Sequence, residues 1–133
     1  MINSVEPFKG IGDFRLGAKR EIIREQACGQ FEPFKPNVDA FDDAGVHCHY
    51  DETNTVVFIE SFEPSPPAIK GTKVLGRPLS EVLRDLESKG FDFNEALTES
   101  IFPKAGLAFY IDDEGLIASV AVFQENYYEK LNH

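Results

Sequence analysis

Apolar and polar residues alternate most clearly at Val46-His47-Cys48-His49-Tyr50. Every second side chain is apolar there, the period of a strand with one buried face. A polar turn at 51–54 and a second apolar run, Val56-Val57-Phe58-Ile59, complete a predicted hairpin. The plan returns as Leu107-Ala108-Phe109-Tyr110-Ile111, a polar turn, and Leu116-Ile117-Ala118-Ser119-Val120. A constant offset pairs Ala44 with Ala105, Asp51 with Asp112 and Phe62 with Phe123, which argues for an internal duplication.

Helical periodicity is best over residues 79–89. Leu79, Val82, Leu83 and Leu86 share one face, Pro78 suits the first turn, and Gly90 follows as a stop. Residues 18–27 predict a weaker helix, with Ile22 and Ile23 apolar and Lys19, Arg20, Glu21, Arg24 and Glu25 solvated. Around Phe8-Lys9-Gly10 and Phe14-Arg15 the chain predicts short extended pieces about a turn. Pro33 and Pro36 exclude a helix and leave 30–40 as an irregular or edge segment. Pro64, Pro66 and Pro67 mark a boundary where sheet pairing should stop. The expected fold is therefore α+β, with two tandem helix-plus-antiparallel-meander repeats, residues 1–63 and 64–133, in one pseudo-duplicated domain. Helices would lie on one face of the layer, and the other sheet face would be open. The tail, 124–133, would pack back or fray.

Charge narrows the function. The chain of 133 residues carries a net charge of −10. Nucleic acid is a poor partner for it, because phosphate contacts need Lys and Arg. Acidity serves solubility, and it also suits a partner with a basic cleft. Cys28 and Cys48 are too few for a disulfide scaffold, so both are expected as reduced thiols. The first residues show no basic and apolar signal pattern, and no run reaches membrane-spanning length. The expectation is a cytoplasmic protein with no membrane partner.

Strand alternation assigns the faces. Val57, Ile59, Ala118, Val120 and Val122 fall on the expected helix side. His47, His49, Phe58, Glu60, Phe62, Tyr110 and Phe123 fall on the open side, and Asp112 and Asp113 lie in the second turn. An aromatic surface around one acid in a strand suits protein binding. The alternative is that an edge loop or the tail covers it. His47 and His49 on one strand face would also suit a metal or small ligand, with His133 as a third ligand. Cys48 points to the opposite side from both histidines, against a Cys–His pair. No catalytic residue and no cofactor are expected.

Leu16-Gly17-Ala18-Lys19-Arg20-Glu21-Ile22 resembles the helix start of the SmpA/BamE-like group. With Leu75-Gly76 and Ser80-Glu81-Val82 in the second copy, the arrangement is similar to that of β-lactamase-inhibitor proteins. Over about residues 8–123 the chain also resembles bacterial immunity partners of secreted toxins. The resemblance implies a non-catalytic inhibitor that occludes a cognate toxin's active site. Two departures stand out: there is no lipid-bearing cysteine signal, and the disulfides of the secreted inhibitors are missing.

Overall fold

A computed structural model describes residues 3–64 and 66–131. It corrects the expected fold class. Among the described residues the chain is mostly β, with two sheets of five and seven strands and only three short α-helices. It is not a pair of helix-plus-meander layers.

The first sheet is built from short pieces that local periodicity hardly registers. Strand β1 (Asn3–Glu6) pairs antiparallel with β2 (Gly10–Ile11), and β2 with β3 (Phe14–Arg15). The other edge of β1 pairs in parallel with β8 (Pro67–Ile69), which continues to β9 (Thr72–Lys73). The prolines do not end pairing as expected, since Pro67 opens β8 opposite Asn3. Proline is tolerated at the first residue of a strand.

The second sheet is wholly antiparallel and runs β10-β11-β12-β7-β6-β5-β4. In chain order its members are β4 (Glu32–Lys35), β5 (Val38–Phe41), β6 (Val46–Tyr50), β7 (Val56–Ser61), β10 (Ile101–Phe102), β11 (Leu107–Ile111) and β12 (Ile117–Phe123). Both hairpins stand where alternation predicts them, and β7 pairs with β12 to join them. Gly45 ends a 3-10 turn, Asp42–Ala44, in the left-handed region at φ 65°. A Cβ there would run into the Phe62 carbonyl, so the entry to β6 requires glycine.

One core joins the inner faces of both sheets to helices α1 (Arg20–Gln26) and α2 (Leu79–Glu87). Val5, Ile11 and Ile69 reach it from the first sheet, and Val46, Cys48, Ile59, Val120 and Val122 from the second. Both sheets cross the boundary at Glu63, so neither half closes its own core. Helix α2 centres on Val82 and Leu86, both buried, with Leu79 and Leu83 half-buried at its margins. Helix α1 buries only Ile23, while Ile22 stays exposed.

Each hairpin bulges at its turn end, between His49 and Tyr50 and between Tyr110 and Ile111. A bulge adds one residue to one strand and resets which side chains face inward. Val56 and Ile117 therefore occupy the core, whereas Val57 is half-buried outside it and Ala118 is exposed. Both had been expected inward. Ser61 faces inward beside Val46 and Val120, and its buried hydroxyl has no hydrogen-bond partner. Ser61→Ala removes an unmet polar group, so it is expected to be neutral or stabilising by about 1 kcal/mol, read from urea denaturation midpoints.

Candidate functional site

The outer face of the seven-stranded sheet carries the residues that alternation selects. In β6, Val46, Cys48 and Tyr50 turn inward and His47 and His49 outward. Register then fixes the neighbours: His49 lies across from Phe58, and Phe58 across from Phe123. One step along, His47 lies across from Glu60, and Glu60 across from Ala121. Tyr110 lies across from Ser119 on the next row.

The tail closes over the first of these rows. Asn126 turns the chain at φ 67°, directly after β12, and helix α3 (Tyr127–Leu131) folds back. Tyr127 lies 5.2 Å from the Phe58 ring and 6.0 Å from Phe123. Tyr128 meets Phe123 edge-on at 4.9 Å, and Phe8 meets it edge-on at 6.3 Å. Phe123 is left 1% exposed in a small second core with Ala108 and Ala121. It is therefore not an open-face residue, and this corrects its assignment to the site. The physical reason is proximity: a strand that ends in Phe123 is followed within a few residues by two tyrosines that can cover it. Phe58 and His49, in ring contact at 4.8 Å, sit at the edge of this cover and are half-buried.

The second row is buried at its Ala121 end and half-buried at Glu60 and His47. His47 is sandwiched between Phe34, 5.1 Å away and tilted by 31°, and Phe62, edge-on at 4.7 Å. Glu60 sits at the centre of the sheet and accepts a hydrogen bond from the Ser119 hydroxyl. Beyond Ser119 stands Tyr110. Tyr110 and Phe34, at the two ends of this stripe, are 61% and 60% exposed. So Glu60, His47, Phe62 and Tyr110 come together, and Ser119 holds the carboxylate in place. Burial lowers the His49 pKa, Glu60 draws it back up, and His47 and Lys35 push it further down. His49 is therefore neutral at pH 7, and the face keeps the negative charge of Glu60 unopposed by it.

The turn acids divide by role. Asp112 spends one carboxylate oxygen on the backbone N–H groups of Glu114 and Leu116, at 2.9 and 3.0 Å. Asp51 does the same in the first turn, toward Thr53 and Thr55. These are local turn-forming bonds. Asp113 is exposed beside Asp112. Among the described residues no three His, Cys, Asp or Glu side chains converge to hold a metal, and His133 lies outside those residues. Both cysteines are free thiols; Cys48 is buried, and burial pushes its pKa up.

Two features escape the sequence reading. Phe34 belongs to the face although it sits on the edge strand β4, beside Pro33. The second is a buried carboxylate. Asp39, wholly buried in β5, takes paired hydrogen bonds from Arg20 (3.0 and 3.3 Å) and from Arg24 (2.8 and 2.9 Å). The Tyr50 hydroxyl donates a further one at 3.0 Å. Arg20 and Arg24 were expected as solvated residues of α1; instead they clamp the helix to the sheet. The legible signal is an arginine at i and i+4 on a short helix, together with an acid inside the run Val38-Asp39-Ala40-Phe41. No family model, characterised protein or solved structure matches this chain. Among the described residues no helix is long and apolar enough to cross a membrane.

Proposed function

We propose that this chain is a non-catalytic protein-binding inhibitor whose docking surface is the open part of the outer sheet face. The carrying observation is that α3 covers the Phe58–Phe123 side and leaves a stripe beside it partly uncovered. Its ends, Tyr110 and Phe34, are exposed, Glu60 and His47 between them are half-buried, and Ser119 is buried against Glu60. Exposed aromatic rings around a fixed carboxylate supply anchors and one charge to be matched. The partner that fits is a protein with a basic cleft, and net charge −10 favours its rapid encounter. A cytosolic immunity protein that plugs the active site of a cognate toxin is the most concrete form of this reading.

The test begins with the partner, sought by pull-down and from the adjacent gene. Calorimetry on Phe62→Ala, Tyr110→Ala and Glu60→Ala should then show binding weakened by about 2 kcal/mol or more for at least one anchor, with the circular dichroism spectrum unchanged. Asp113→Asn should mainly slow association, by an amount that shrinks as salt rises. Asp112 is unsuitable for that purpose because it also shapes its turn. Wild-type affinity in all three anchor variants would remove the stripe from the interface.

A further inference from the structure

The fold-back of α3 creates a second concave surface, distinct from the open stripe. A cleft of about 630 Å³ lies between α3, Phe8 and the chain on either side of β10. Its apolar lining includes Phe8, Leu97, Pro103, Phe123, Tyr127 and Tyr128. That volume is in the range of small-molecule sites, about 300–1,000 Å³. Leu97 is 52% exposed, unusual for a leucine beside so much aromatic surface. Phe8, Tyr127 and Tyr128 reach the cleft while packed around Phe123, so the aromatic wall is held by core contacts.

The polar groups of the same cleft are biased in sign. Glu95, Glu125 and Glu129 line it, against the single cation Lys104. Lys104 is already paired with Glu95 at 2.7 Å. Glu125 and Glu129 have no ion-pair partner among the described residues. Two properties thus select the same ligand. Carboxylates attract a cation and repel an anion, and the faces of aromatic rings do likewise. The apolar lining adds affinity for a hydrocarbon body.

We infer that this cleft binds a small amphipathic cation, an ammonium or guanidinium group carried on an aryl or alkyl body. The body lies against Leu97, Phe8 and the two tyrosines, and the charge lies toward Glu125 and Glu129. This site is independent of the protein-docking stripe, and either can fail without the other.

Three probes of matched size decide it: phenylbutylamine, phenylbutyrate and phenylbutanol, titrated at neutral pH into the isotope-labelled full chain. The amine is expected to bind saturably and to shift amide resonances in residues 95–104 and 125–129. Phenylbutyrate is expected to bind at least about tenfold more weakly, and phenylbutanol to fall between them. In the double variant Glu125→Gln, Glu129→Gln, amine affinity should drop by about tenfold while that for phenylbutanol stays unchanged. Both glutamates are solvent-facing, so the variant's unperturbed spectrum serves as the folding control. Equal binding of amine and carboxylate, shifts centred on His47 and Phe62, or an amine affinity untouched by the double variant would each overturn the assignment.

Discussion

Asp39→Ala is expected to destabilise the fold by about 3 kcal/mol or more, because it leaves two arginines without their shared carboxylate. Arg20 and Arg24 are partly exposed, at 16% and 33% of their side chains, so water recovers some of their charge. That places the loss toward the lower end of what buried pairs show, about 3–5 kcal/mol. Asp39→Asn keeps the shape and the acceptor oxygen but not the charge, and should cost less. The pH dependence follows from the same contacts. Burial pushes the Asp39 pKa up, but hydrogen bonds from Arg24, Arg20 and Tyr50 outweigh it and hold the pKa at about 2. A carboxylate with a depressed folded-state pKa stabilises the fold above its unfolded pKa, 3.8 here, and loses that contribution as pH falls through about 2. The lost stability amounts to about 2 kcal/mol between those values. Urea denaturation of wild type and Asp39→Ala, run from neutral pH down to 2, measures both effects. The difference between the two proteins should be largest at neutral pH and should narrow across that window. A gap that is small and constant with pH would mean that the arginines do not depend on Asp39.

How far the sequence carried the reading follows from which contacts are local. Alternation at Val46, Cys48 and Tyr50 located the first hairpin, and Asp51 and Asp112 marked two turns with their side-chain bonds. The bulges broke the reading just past those turns. Val57 and Ala118 are the extra residues of the two bulges, and alternation read straight through them placed them inward in place of Val56 and Ile117. The five-stranded sheet was legible only in pieces: extended segments were expected around Phe8-Lys9-Gly10 and Phe14-Arg15, but not their assembly into a sheet. Its strands are two to four residues long, and its central pairing joins Asn3 and Ser4 to Pro67 and Ala68. Strands so short have no period to detect, and partners so far apart leave no local trace. The α+β layer expected from two periodic helices gave way for that reason. The charges on α1 were misread on the same ground, since Arg20 and Arg24 look solvated until β5 brings Asp39 beneath them. On the site, the outward residues of β6 and β7 were legible, and cover by the tail was the alternative to an open face, but the turn at Asn126 that brings the tail over Phe123 lies outside what alternation can locate.

Phe123→Ala tests that cover. If Phe123 were an anchor on an open face, its truncation would cost binding and leave stability nearly intact. Buried at 1% exposure and ringed by Phe8, Phe58, Tyr127 and Tyr128, it should instead cost about 3–5 kcal/mol of folding stability, the range for deleting a core phenylalanine. The loss should concentrate at the tail. Tyr127 and Tyr128 hold α3 to the sheet mainly through these rings, and a five-residue helix has no stability of its own. In the variant, amide exchange across 127–131 should rise well above that of β7 and β12, whose ladder bonds remain. The chain contains no tryptophan and four tyrosines, so a change in tyrosine emission includes the release of these two rings along with the signal of Tyr50 and Tyr110. Uncovering Phe58 would also widen the exposed apolar surface toward His49, and the variant should self-associate more readily than wild type. Wild-type stability, with unchanged exchange in the tail, would mean that α3 does not rest on Phe123. The whole outer face, from Phe34 to Phe8, would then be open.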